Sequence, residues 1–201
     1  MAFISNGTTI LDAGAFSASL GSMVLLSEQT ASASSSISFT SGIDSTYPIY
    51  QFEFINIHPS NDNGILKFNL STDGGSNYNV VKTTTTAPVS QNNETGTTSS
   101  VSYDTGEDLA QSTADQSFIS GIGNDSDQSA SGYFYLFNPS SNTFVKHFMA
   151  RVNHYHPDNR SIDCSVAGYG NTTSPVDAVI FRMSSGNIDS GTIKLYGIKD
   201  S

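Results

Sequence analysis

The 201-residue sequence has no tryptophan, one cysteine, and eight basic residues against eighteen acidic ones. Cations are missing before Lys67 and again between Lys82 and Lys146. A nucleic-acid binder gains affinity by displacing counterions from phosphates with Lys and Arg, and nothing here builds a basic stripe. An anionic membrane surface is disfavoured on the same ground, so neither nucleic acid nor membrane is expected as a partner. A single cysteine, Cys164, excludes an internal disulfide; in the alternating run Ile162, Cys164, Val166 it reads as a small buried hydrophobe. No apolar stretch approaches the roughly 20 residues of a membrane helix. The opening MAFISNGTTILDAGAF lacks the basic and long apolar regions of a secretory leader. Synthesis and folding in a cytoplasm are expected.

Charge is scarce as well, at 13% of residues, and the apolar fraction of 36% lies below the usual ~45–50%. Ser, Thr, Asn and Gly fill the difference. Disordered chains are usually rich in charge and poor in aromatics, whereas this one carries 12 Phe and 9 Tyr that need burial. Hydroxyl-rich, aromatic, weakly charged sequence suits strands with one wet face. The length fits a single all-β domain.

Residues 1–33 read as an N-terminal arm with two short apolar patches, Thr9–Leu11 and Met23–Leu26, of which Ile10, Leu11, Met23, Val24, Leu25 and Leu26 are the anchoring candidates. From Ser34 the apolar period becomes two, the signature of a half-buried strand. Strands are expected over Ser34–Thr40, Tyr47–His58, Gly64–Ser71, Tyr78–Thr86, Gly132–Asn138, Phe144–His156, Ile162–Gly168, Val176–Met183 and Gly191–Ile198. In Tyr47–His58, Tyr50, Phe52 and Phe54 share one face; Ile49, Gln51, Glu53, Ile55 and Ile57 share the other. Asp73-Gly74-Gly75 predicts a hairpin turn returning into Tyr78–Thr86. Residues 87–130, polar with few anchors beyond Leu109, Phe118, Ile119 and Ile122, read as a long loop region with one short helix near Glu107–Gln111. Eight or nine strands with turn signals and almost no helical period predict an all-β, antiparallel β-sandwich, jelly-roll-like, over 34–201.

Chemistry-bearing constellations are sparse. His154 and His156 lie two apart on a strand, hence on one face, and are candidate metal ligands, by themselves or where three copies meet on an axis. One cysteine and four histidines assemble no Cys/His zinc set of recognised spacing. Asp125 and Asp127 offer hard oxygens at alternate positions, as a calcium loop does, without that loop's glycine or closing glutamate. Glu53, the one glutamate on an expected strand, is a candidate inward carboxylate. No Gly-x-Ser-x-Gly elbow is present, and Gly121-Ile122-Gly123 lacks the rest of a dinucleotide fingerprint. No enzymatic activity, cofactor or resident metal is expected.

Ser34–Asp44 (SSSISFTSGID), YQFEFINIHPS, LSTDGGSNY, YDTGEDLAQSTADQ, LFNPSSNTFVKHF and the closing SSGNIDSGTIKLYGIKDS resemble a module of structural proteins of marine tailed phages. The resemblance runs from about Ser34 to the end. It implies a virion component with a β-sandwich body, commonly a homotrimer, and transfers no catalytic residue. The expected function is capsid decoration, or a short head fibre or knob, held to other capsid or tail proteins by the arm. The alternative is a receptor-binding tail or fibre tip that recognises host surface glycans through the 87–130 loops or hairpin turns.

Overall fold

The computed structural model describes residues 3–5, 8–12, 15–16, 22–92 and 99–199. Fifteen strands and no helix occur among them. They are β1 (Phe3–Ser5), β2 (Thr8–Asp12), β3 (Ala15–Phe16), β4 (Met23–Thr30), β5 (Ile37–Phe39), β6 (Ile49–Pro59), β7 (Leu66–Ser71) and β8 (Lys82–Asn92). There follow β9 (Ser99–Val101), β10 (Gln116–Ser117), β11 (Ala130–Phe137), β12 (Lys146–His156), β13 (Arg160–Gly170), β14 (Ala178–Met183) and β15 (Ile188–Ile198). All nine strands read from the sequence are present, with ends shifted by a few residues. Strands β1–β3 form a small antiparallel sheet of their own.

The remaining strands make a sandwich of two antiparallel sheets. Eight run in the order β4-β15-β6-β11-β12-β13-β8-β9, and four in the order β10-β7-β14-β5. Pairing is nested: β4 with β15, β5 with β14, β6 with β11, β7 with β10. The first of these eight strands meets the last and the second meets the seventh, alternating between sheets, which is the jelly-roll arrangement. Two insertions, β8-β9 and β12-β13, join edge to edge through an eleven-residue ladder and widen the larger sheet.

Period-two apolar sequence is what drives the sheets together. Tyr50, Phe52 and Phe54 of β6, Phe134 and Leu136 of β11, and Phe148 and Val152 of β12 point inward from the large sheet and are fully buried or nearly so. Phe39, Leu66, Phe68, Leu70 and Phe181 answer from the small one. Phe68 sits at the centre, with ring centroids 4.7 Å from Phe118, 4.7 Å from Phe134 and 5.1 Å from Phe148. Such ring pairs add roughly 0.5–1.5 kcal/mol each beyond the area they bury.

Four features differ from the sequence reading. Met23–Leu26, expected in the arm, belongs to β4, which is hydrogen-bonded along β15 as an edge of the body. Ile10 and Leu11 lie in β2, and their side chains fall outside the described residues. Gly74 and Gly75 do take positive φ, 70° and 84°, as a tight turn requires. Yet the strands on either side are not partners: β7 lies in the small sheet and β8 in the large one, so the turn carries the chain between sheets. The 87–130 stretch is not one loop, for β8 continues to Asn92, and Phe118, Ile119 and Ile122 are buried in the core. No helix forms at Glu107–Gln111; instead Leu109 O accepts from Thr84 N–H and Glu107 O from the Gln116 amide, tying the segment to β8 and β10.

The fourth difference is a break in strand alternation. Asn56 has φ 50° and both its neighbours' pairings slip, so Ile55 faces solvent while Ile57 joins Phe54 inside. A bulge adds one residue to one strand and thereby switches every later side chain to the other face. Ile57 therefore leaves the face on which Gln51 and Glu53 remain.

Candidate functional site

The large sheet is wider than the small one and keeps its outer face uncovered among the described residues. Side chains there stand in cross-strand rows set by register. Tyr135 of β11 lies opposite Met149 of β12, Met149 opposite Ala167 of β13, and Ala167 opposite Thr85 of β8. The flanking rows run Tyr133–Arg151–Ser165–Ala87 and, nearer the other end, His147–Tyr169–Thr83. Large rings on β11 beside small residues on β13 and β8 leave two adjoining hollows of about 490 and 510 Å³. Phe137 and Met149 line both.

Tyr133, Tyr135 and Phe137 form a continuous ring ladder, with centroids 5.2 and 6.1 Å apart, and the latter pair stacked at 26°. His147 and Tyr169 make a second aromatic group 6.0 Å apart. Met149 is 55% exposed and Tyr133 38%, which is unusual for apolar side chains in mid-sheet. Burial, then the proximity of Tyr133 and Glu53, raises the Tyr135 hydroxyl above its ordinary range, so it remains a hydrogen-bond donor at neutral pH. At the far margin Arg151 grips Asp163 through two nitrogens at 2.6–3.0 Å. Glu53 accepts from the Gln51 amide at 3.0 Å, and Lys194 pairs with Glu28 at 3.2 Å. Cations and anions on this face thus neutralise one another locally, in a protein whose net charge is −10. A shallow, aromatic, hydroxyl-edged and nearly neutral surface is equipped to stack on flat apolar faces and to hydrogen-bond at its rim.

The residues nominated from sequence do not converge. His154 and His156 do share a face, with rings 6.3 Å apart, but that face is the interior for His154, which is 1% exposed. His154 Nε2 meets Ser120 Oγ at 3.3 Å, and burial, then His156 and Arg160, depresses the ring to about pKa 3. Arg160 Nη2 lies 3.2 Å from His156 Nδ1 and is paired with Asp158. A guanidinium beside one imidazole and the burial of the other oppose an ion held between copies on an axis. Asp125 and Asp127 sit in an exposed loop where the Gln128 side chain accepts from Asp125 N–H. Among the described residues no three His, Cys, Asp or Glu side chains gather as metal ligands. Glu53 points outward, not inward. Cys164 is buried as expected, its thiol pushed up to about 12 by burial.

Sequence reading missed two features. The outer-face rings were legible as alternation in Gly132–Asn138, but nothing local indicates that two insertions would extend a floor beside them. The other is a buried polar network at the β7–β8 crossing, where Lys82 and Asn69 are 0% and 1% exposed. Its members are 13 or more residues apart and lie in hydroxyl-rich stretches without a recognisable spacing. Comparison with protein-family models, curated proteins and solved structures returned no match to this chain.

Proposed function

We propose that this chain is a non-enzymatic surface component of a tailed-phage particle, a capsid decoration or short head fibre, tethered by the residues at and before β4. Its resemblance to phage structural modules from Ser34 onward supports the particle assignment. Function is carried by sites rather than by folds, and the sites here favour a structural role: no two facing carboxylates are brought together among the described residues, and the Ser120–His154 contact rests on an imidazole enclosed in the interior. The observation that carries the tether is the edge strand β4. One side of β4 pairs with β15 and the other has no strand partner among the described residues, while Met23 and Leu25 stand 37% and 50% exposed. Open strand edges with apolar side chains invite pairing with another chain, and a neighbouring virion protein would supply it. A homotrimer in the particle accords with the same reading.

The test is to quantify the chain in purified particles and find it in a map of the intact virion. Tens to hundreds of copies on the shell are expected. Absence from the particle would sink the proposal. A second reading, a receptor-binding tip, is favoured by one observation: the exposed Tyr133–Tyr135–Phe137 ladder beside Tyr169, whose rings suit the apolar faces of a host glycan. It predicts a handful of copies per tail and binding of purified protein to host polysaccharide. Tyr135→Ala combined with Tyr169→Ala should weaken that binding at least tenfold, a loss of about 1.4 kcal/mol, without unfolding the body.

A further inference from the structure

Lys82 opens β8 with its side chain wholly inside the protein. Its ammonium donates to Asn69 Oδ1 at 2.6 Å and to Val80 O at 2.8 Å. Among the described residues no carboxylate is in direct contact with it, an unusual arrangement for a buried lysine. Asn69 in β7 is equally enclosed, and every hydrogen-bonding position of its amide is used. Oδ1 accepts from Lys82 and also from Leu70 N–H at 2.9 Å. Nδ2 donates to Thr113 O at 3.0 Å and to Asp115 Oδ1 at 2.9 Å. Asp115 is itself held by Arg182 through Nε and Nη2, at 2.5 and 2.7 Å.

We propose that Lys82 and Asn69 join through an amide bond that forms spontaneously inside the folded protein, with Asp115 transferring the protons. The parts are those an acyl transfer needs. The amine is the nucleophile, and its 2.6 Å contact with Oδ1 holds it against the carboxamide whose carbon it attacks. Leu70 N–H already points at the oxygen on which negative charge develops. The carboxylate contacts the nitrogen that must leave. Burial draws the Lys82 amine down to about 8 against the opposing pull of Asp115, so a useful fraction is unprotonated near neutral pH. Burial also works against ionisation of Asp115, but the Arg182 fork and the Asn69 amide outweigh it and keep the carboxyl below its usual range. Asp115 is therefore available as a base.

The step balances as follows. The unprotonated fraction of Lys82, its ammonium proton already lost to solvent, forms a bond through its lone pair to Asn69 Cγ and moves an electron pair onto Oδ1. Asp115, in contact with Nδ2, takes a proton from the newly attached Lys82 nitrogen and passes it to Nδ2. Collapse of the oxyanion breaks Cγ–Nδ2. Ammonia departs and takes up the proton first lost to solvent, leaving as ammonium, with Asp115 again a carboxylate and no oxidant or reductant involved. Exclusion of water protects the adduct from hydrolysis. The product ties a strand of the small sheet to a strand of the large one.

The intact mass of the full-length chain, purified in its folded state, tests this. The expected mass is lower than the sequence mass by one ammonia. Trypsin should fail after Lys82 and release a branched species joining the Asn69 peptide to the Lys82 peptide, which separates the cross-link from a cyclised Asn-Gly site. Lys82→Met and Asp115→Asn should both restore the full mass, with the strand signal in circular dichroism retained. An unmodified wild-type mass with cleavage after Lys82, persisting after prolonged incubation at mildly alkaline pH, would overturn the proposal and leave a noncovalent network. A cross-link persisting in Asp115→Asn would overturn the assigned role of Asp115. Should either variant fail to fold, the wild-type mass and the branched peptide decide alone.

Discussion

Lys82, Lys146 and His154 have all been carried inside, each with a different settlement. Lys146 donates to the carbonyls of Ser141, Phe144 and Thr172 at 2.7, 2.7 and 3.2 Å, closing the β11–β12 turn like a bound cation. Lys146→Met should leave those carbonyls unpaired and lower stability by roughly 1–3 kcal/mol, read as a shifted urea midpoint. His154 has no such compensation. Its ring ionises near 6.5 in the unfolded chain but only near 3 in the fold, so the unfolded state binds the proton first. Stability from this source is present above about pH 6.5 and drains away as pH falls toward 3, by up to roughly 3 kcal/mol at pH 4. His156, depressed by burial and then Arg160, adds in the same direction. His154→Leu should flatten the acid limb of stability against pH; an unchanged limb would assign acid sensitivity elsewhere. That the two rings share a face was legible from their spacing. That the face is the interior was not, because alternation gives sides of a strand without saying which side the partner sheet occupies.

At the scale of elements, strand existence was readable and strand partnership was not. The nine runs of alternating residues all became strands, since each needs only its own residues to define a face. Pairing in a nested fold links residues such as Met23 and Ile198, and no local signal records that. The Asp73–Gly75 turn makes the same point, since its glycines report a reversal of the backbone and are silent about the sheet the chain returns to. The candidate face was half legible for the same reason: the ladder on β11 could be read, the floor on β13 and β8 could not. The Asn56 bulge has its own partner feature, Gly191 at φ 114°, where a Cβ would meet Asn56 O at 2.6 Å. Gly191→Ala should therefore cost on the order of 1–3 kcal/mol through strain and forced separation of β6 and β15. Removing residues 1–21 should leave the sandwich intact, whereas removing 1–33 strips β4, bares the β15 edge and should provoke aggregation. Light scattering of the two truncations separates these outcomes, and a soluble monomeric 34–201 body would return β4 to the tether.

The molecule as a whole couples an aromatic interior to a sparsely charged exterior. Phe68→Ala removes the ring that contacts three others and should cost about 3–5 kcal/mol, a large part of the 5–15 kcal/mol typical of a whole domain. Nested pairing has a geometric result as well. Because Met23 lies beside Ile198, the chain enters and leaves the sandwich at one pole, together with the Asn138–Ser141 turn. The opposite pole gathers the turn between β12 and β13 and the loop holding Asp125 and Asp127, since Ala130, His154 and Ile162 align there. A guest peptide spliced into the Pro157–Asn159 turn would consequently ride at the end remote from the proposed tether, while one fused after Ile198 would crowd that pole. Gathering both ends of the body at one pole leaves the far pole free as a mast-head for display.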